Sequence, residues 1–186
     1  MKNKTKILDT AMNLIIEDGF SGTSMNHIHE ASGISIGGIY YYFKTKEDII
    51  NQIYQTIKKD IIEYTFQHIN LEDSTRKFVE DYWYARVSWA MIHGQEKKFM
   101  EMYYQKPHHE IRVCDEIAVK YNKLIARVNK AVEAKEINTL DCLYFFADID
   151  SSVNVILNYI ENNPDVYVNE TLSFAFKKYW RSIVNI

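Results

Sequence analysis

The chain is poor in turn-forming residues. Six glycines and two prolines serve 186 residues. A sandwich or barrel turns roughly every 8–12 residues, so this scarcity excludes an all-β fold. Cysteine is scarce as well: Cys114 and Cys142 are too few for a disulfide framework or a four-thiolate zinc site. No run reaches the ~20 apolar residues that a membrane span needs, and no N-terminal apolar stretch reads as a signal peptide, so a cytoplasmic chain with no membrane contact is expected. Positive charge is not in excess. Lys and Arg total 22 against 25 Asp and Glu, a formal net charge of −3, so any nucleic-acid contact must use a local patch. The catalytic signatures are missing too. There is no Gly-rich phosphate loop, no nucleophile elbow, no His-Glu-x-x-His and no paired carboxylates at a useful spacing, so neither an enzyme nor a cofactor is expected.

What is present is apolar, aromatic and helical. Apolar residues make up 47% of the chain, with 14 Tyr, 9 Phe and 3 Trp. Ile7, Leu8, Ala11, Leu14 and Ile15 form an amphipathic stripe over Lys4 to Asp18, which Gly19 closes. A short helix follows Thr23 or Ser24, with Met25, Ile28 and Ala31 on one side and Gly33 at its end. Ser35 caps a third helix, from about 36 to 43. Thr45 with Asp48 is a capping-box pattern opening a long helix whose seam is Ile49, Ile50, Ile53, Tyr54, Ile57 and Ile61. Helical patterns then run from about 75 to 93, 95 to 104, 107 to 134, 140 to 161 and 169 to 184, with Asn162-Asn163-Pro164-Asp165 as the clearest turn. The expected fold is all-α. A three-helix domain over 1–45 precedes a helical bundle over 46–186.

Residues 24 to 43 read as helix, three-residue turn, helix. Ala31 is small enough for two helices to cross closely, Gly33 allows the left-handed backbone of a sharp turn, and Ile34 and Ile39 fill the angle. Ser35 caps the second helix or offers its hydroxyl to a phosphate. Tyr40, Tyr41 and Tyr42 are adjacent, and successive helical residues point about 100° apart. The three rings therefore do not all face one core. At least one lies at the surface, where a phenol can hydrogen-bond a phosphate while its ring meets a thymine methyl.

The run Gly33 to Ile49, together with Ile7-Leu8-Asp9-Thr10-Ala11 and Gly19-Phe20, resembles the DNA-binding domain of the TetR family of bacterial transcriptional regulators. The resemblance covers residues 4 to 53, roughly a quarter of the chain. It implies a helix-turn-helix reader of double-stranded, pseudo-palindromic operator DNA, a homodimer, and a small-molecule effector bound by the C-terminal domain. A repressor released by that effector is the implied function. By family position, Ser35, Ile36, Gly37, Gly38, Tyr40, Tyr41, Tyr42 and Lys46 are the implied DNA contacts, with Ser24 as a phosphate contact. The alternative is a helical adaptor, or a DNA-binding regulator controlled by a protein partner, with a filled core and no ligand.

The sequence departs from the family at the third helix. Position 36 is Ile and position 38 is Gly, and the helix has no Arg, Lys, Asn or Gln to pair bidentately with a base. Readout through thymine methyls and DNA shape is expected, and with it an A·T-rich operator. Residues 1 to 48 hold Lys2, Lys4, Lys6, Lys44 and Lys46 against six acids, so what matters is placement. The lysines cluster at the N-terminal arm and just after the third helix. Affinity should fall with salt at a slope of about −0.9 per phosphate contact.

In the rest of the chain, Leu143, Phe146, Val153, Ile156, Leu157 and Ile160, with Leu172, Ala175, Phe176, Tyr179 and Ile183, suit a four-helix bundle with a second copy; burial inside one subunit explains the same pattern. Trp83, Trp89, Phe99, Met102, Tyr103, Tyr121, Phe146 and Asp150 are the candidate effector-pocket residues, with ordinary core as the competing reading. Asp150 interrupts an apolar helix and needs a partner, either a cationic ligand or a basic side chain. Neither His27 with His29 nor His108 and His109 with Cys114 has ligand spacing, so no metal is expected.

Overall fold

In the computed structural model, which describes residues 2–106 and 115–185, the protein is all-α. Among the described residues there are nine helices and no strand: α1 Lys2–Gly22, α2 Met25–Ser32, α3 Ile36–Tyr42, α4 Lys46–His68, α5 Thr75–Ile92, α6 Gly94–Gln105, α7 Asp115–Glu133, α8 Cys142–Asn162 and α9 Val168–Ile183. One isolated antiparallel bridge joins Ile137 to Val184. Pro107, His108, His109 and Cys114, including the expected helix start at Pro107, lie outside the described residues. No described helix is long and apolar enough to cross a membrane.

The helices sort into two compact units. The first joins Met1–Asp60 to His93–Cys114; the second joins Ile61–Ile92 to Asp115–Ile186. Three short helices bury too little apolar surface to stand alone, and two further segments complete their core. The first part of α4 buries Ile49, Ile50, Ile53, Tyr54 and Ile57. Helix α6 packs on α1, where Phe20 meets the ring of Phe99 edge-on at 5.9 Å and Tyr103 stacks on Tyr54 at 4.5 Å. Phe99 and Tyr103, separated by four residues on α6, thus act as core for the N-terminal helices.

Local chemistry explains the turns of the first unit. Gly19 does adopt positive φ (78°), but the helix resumes beyond it to Gly22 after a kink. Thr23 explains this continuation: its N–H and its hydroxyl both donate to Gly19 O. Gly94, which falls between the two helical patterns of the sequence, opens α6. In the second unit α8 packs against α5, α7 and α9, with Phe145, Ile149, Val153 and Leu157 buried along it. Asp141 caps α8 by accepting from Tyr144 N at 2.7 Å.

Candidate nucleic-acid interface

The turn between α2 and α3 is built by side chains of its own residues. Ser24 caps α2, its Oγ accepting from His27 N at 3.1 Å. Gly33 ends α2 with φ 64°, the left-handed conformation that glycine adopts without penalty. Ser35 then caps α3 by accepting from Gly38 N at 3.2 Å. His29 Nδ1 lies 2.7 Å from Ile34 O, an arrangement that needs the ring proton on Nδ1 because a carbonyl only accepts. The helix crossing uses Ser32 rather than Ala31. Ser32 is buried and its Oγ accepts from Ile34 N at 3.2 Å, whereas Ala31 is exposed, because the buried side of α2 runs through Ile28 and Ser32, four residues apart.

Helix α3 sorts its residues cleanly. Ile39 is fully buried and anchors it. Tyr41 is 78% exposed and Tyr40 44%, with Tyr42 half-buried and its ring edge-on to Tyr41 at 5.0 Å. Gly37 is open, so a methyl there would meet nothing within 4 Å. Gly38 is not, for a Cβ would stand 3.1 Å from both Ile34 Cγ2 and Ser35 Oγ. Ile36 is half-buried beside the exposed Ser35. The nine candidate DNA residues thus fall into the α2 cap (Ser24), the α3 start (Ser35, Ile36, Gly37, Gly38), the tyrosine face, and Lys46.

Lys46 opens α4 and holds the entry to α2. Its ammonium donates to Phe20 O at 2.6 Å and to Thr23 O at 2.9 Å, the carbonyls at the end of α1 and just before the α2 cap. An ammonium has three N–H donors, so one remains for an anion at the α2 N-terminus. Asp48 accepts from Lys44 N and Thr45 N while Thr45 Oγ1 accepts from Asp48 N, completing the expected capping box. Lys44, expected among the basic groups after α3, donates to Tyr40 O and so ties itself to the tyrosine face.

The expected effector-pocket residues divide between the two units. Phe99 and Tyr103 are buried core of the first, where Met102 is half-buried. Trp83, Trp89, Tyr121, Phe146 and Asp150 lie in the second. Trp83 is fully buried, donates through Nε1 to Ser152 Oγ at 3.0 Å, and contacts Phe176. Trp89 is also buried. Phe146 is flanked by Tyr82 at 5.7 Å and by Tyr121 at 6.4 Å. Asp150 has a protein partner: Arg86 Nε donates to its Oδ1 at 2.9 Å. Burial works against the Arg86 charge, but Asp150, with Tyr82 and Tyr121, more than offsets this and holds the guanidinium above its ordinary range. The sequence reading overlooked Arg86, although an arginine one turn after Tyr82 in the apolar α5 pattern is an interior polar signal. Among the described residues no group of His, Cys, Asp or Glu could hold a metal ion.

The apolar run expected to meet a second copy is mostly spent inside one subunit. Val153, Ile156, Leu157, Leu172, Phe176, Tyr179 and Ile183 are buried within the second unit. Leu143 of that run stays outside, 70% exposed, and residues not in the run share the outer face of α8 and α9 with it: Val155 and Phe174, each 71% exposed, and Tyr159, 49%. Val155, Tyr159, Phe174 and Lys178 line an open groove of about 750 Å³ between the two helices.

The sequence profile described as "Bacterial regulatory proteins, tetR family" matches residues 7–53, the stretch that builds the caps, the turn, α3 and the start of α4. The match covers about a quarter of the chain. The HTH-type transcriptional regulator AcrR of Shigella flexneri is 33% identical over 67 residues, 36% of this chain and 31% of AcrR. The chain matches only about three tenths of the length of AcrR and of two further relatives. A longer alignment, 23% identical over 158 residues, covers 85% of this chain and 80% of the icaADBC negative transcriptional regulator IcaR of Staphylococcus epidermidis. In fold alone, a likeness to solved structures runs the length of the chain. A TetR family transcription regulator from Marinobacter aquaeolei VT8 superposes with a TM-score of 0.79 at 15% identity, covering 99% of this chain and 96% of that one.

Proposed function

We propose that the protein is a bacterial transcriptional regulator that binds operator DNA through α3 and acts as a repressor. The observation that carries this is the exposed Tyr40–Tyr41 face on a short helix whose start is capped by Ser35 and whose anchor, Ile39, is fully buried. A rigidly held helix with two large rings in solvent costs apolar hydration unless a surface receives them. In a helix-turn-helix, that surface is the major groove. The names of AcrR and IcaR, a transcriptional regulator and a negative regulator, support the direction of control. Such a regulator works in the cytoplasm, where the chromosome is.

The operator contact is made by Ser35, Ile36, Gly37, Gly38, Tyr40, Tyr41 and Tyr42, with phosphates held at the Ser24 cap and by the remaining Lys46 N–H. With no Arg, Lys, Asn or Gln on α3, the operator is A·T-rich. The protein acts as a homodimer joined across the outer face of α8 and α9, because a two-fold pair spaces its α3 helices by about one DNA turn. The second unit binds a small-molecule effector that favours a dimer geometry with weaker DNA affinity.

The test is to sequence genomic fragments retained by the purified protein and by Tyr41→Ala and Tyr42→Ala. Wild type should enrich a palindromic, A·T-rich site and both variants should lose it. Undiminished enrichment by both variants would place the contact elsewhere, and a G·C-rich core would overturn the readout.

A further inference from the structure

The second unit contains a polar cluster that its own side chains leave incomplete. Arg86 on α5 reaches Asp150 on α8 through Nε, yet its Nη1 is buried without a hydrogen-bond partner. Tyr179 on α9 is 6% exposed, and its buried hydroxyl has no hydrogen bond of ordinary geometry. Asp148 lies beside it, and burial together with that carboxylate pushes the phenol above its usual range. Tyr82 and Tyr121 border the same guanidinium. The rings of Tyr82 and Tyr121 flank Phe146, and Tyr121, Phe146 and the Asp150 carboxylate are all part-exposed, so the cluster is open to solvent on that side. Buried donors are almost always paired in folded proteins, and the unpaired Arg86 Nη1, beside a Tyr179 hydroxyl whose one neighbouring acceptor is the Asp148 carboxylate, is what a ligand's polar group would complete.

Charge selects among ligands. Asp148, beside Tyr179, and Asp150, on the guanidinium, disfavour an anion, while the unpaired Arg86 Nη1 disfavours a cation. A neutral hydroxyl is different: its oxygen can accept from Arg86 Nη1 and its proton can go to a carboxylate or to Tyr179 Oη. The flanking rings favour an aromatic body over an aliphatic one. From this we infer that the cluster of Arg86, Asp148, Asp150 and Tyr179 is a binding site for a neutral aromatic compound bearing a hydroxyl group. The inference rests on the reading of the second unit as an effector domain and names the chemistry of what it takes.

Three probes matched in ring and tail isolate the charge: 4-ethylphenol, 4-ethylbenzoate and 4-ethylbenzylammonium, titrated into the full chain at pH 7 by calorimetry and ligand-observed NMR. The phenol should bind at least ~10-fold more tightly than either ion, since an unpaired like charge is rejected strongly. Tyr179→Phe should weaken the phenol about 5- to 10-fold, the loss of one hydrogen bond. Arg86→Lys, which keeps the charge facing Asp150 but not the guanidinium geometry, should weaken it at least as much. Equal binding of all three probes, no binding by any, or phenol binding unchanged in both variants overturns the site. The effector reading fails separately: if the phenol binds with this dependence but leaves retention of the selected operator unchanged, the site stands and the coupling to DNA does not. If the benzoate or the benzylammonium, and not the phenol, releases operator, the coupling stands and the ligand chemistry is wrong.

Discussion

At the residue scale, the two glycines of α3 have opposite roles. Gly37 stands in open space and Gly38 is hemmed in by Ile34 and the capping hydroxyl of Ser35. Alanine in place of a helical glycine raises stability by up to about 1 kcal/mol where the site accommodates it. Gly37→Ala should therefore keep or raise the melting temperature, yet weaken operator retention, because the new methyl stands at the helix start proposed to meet base edges. Gly38→Ala should lower the melting temperature, since it displaces the cap. Thermal unfolding paired with DNA retention separates the two, and equal effects on both readouts would dissociate α3 from the DNA contact. Tyr179 has a different signature. Burial raises its folded pKa above the unfolded value of 10.0. The neutral phenol's contribution is then fully present below about pH 10 and is lost as pH rises beyond it. Stability against pH should be flat on this account through pH 9 and fall above it, less steeply in Tyr179→Phe. Some of the fall should persist, because Tyr84 is raised in the same direction. An identical alkaline limb in the variant would contradict the burial argument.

At the scale of the element, α6 is the helix whose role changed most. Its pattern, read alone, offered Phe99, Met102 and Tyr103 to a ligand pocket. In the fold, Phe99 and Tyr103 close the core of the N-terminal helices through Phe20 and Tyr54. Lys106, just past its end, lies over the Phe20 ring and pairs with Glu47 of α4. Phe99→Ala should cost about 3–5 kcal/mol in denaturant unfolding, as for a large core ring. A ligand-lining ring would cost far less. The helix-turn-helix was legible without a fold because its signals are local: Gly33 at positive φ, Ser24 and Ser35 as caps, and the Thr45–Asp48 box each act within four residues of themselves. The buried face of α2 was misjudged at Ala31 because the choice between Ala31 and Ser32 depends on what crosses the helix.

At the scale of the molecule, the exposed apolar residues of α8 and α9 form one surface with a groove between them, and the dimer reading rests on that surface. Phe174 is 71% exposed, so Phe174→Glu should leave the isolated subunit folded. In the assembly it would bury a charge, and sedimentation should show the dimer shift to monomer. A dimer that persists would move the interface off this face. Loss of the dimer should also flatten the cooperativity of operator binding, because each α3 would then engage its half-site alone.

Helix positions, caps and the turn before α3 followed from the order of residues, because each depends on backbone and side-chain groups a few positions apart. So did the absence of a base-pairing side chain on α3, which needs only the identity of seven residues. Tertiary packing alone decided which aromatic rings are core, which apolar residues of α8 and α9 remain outside, and that Asp150 pairs with Arg86, 64 residues away. A helical stripe states that a face is buried but not against what. The partner is chosen by residues distant in the chain, and only the folded core brings them within reach.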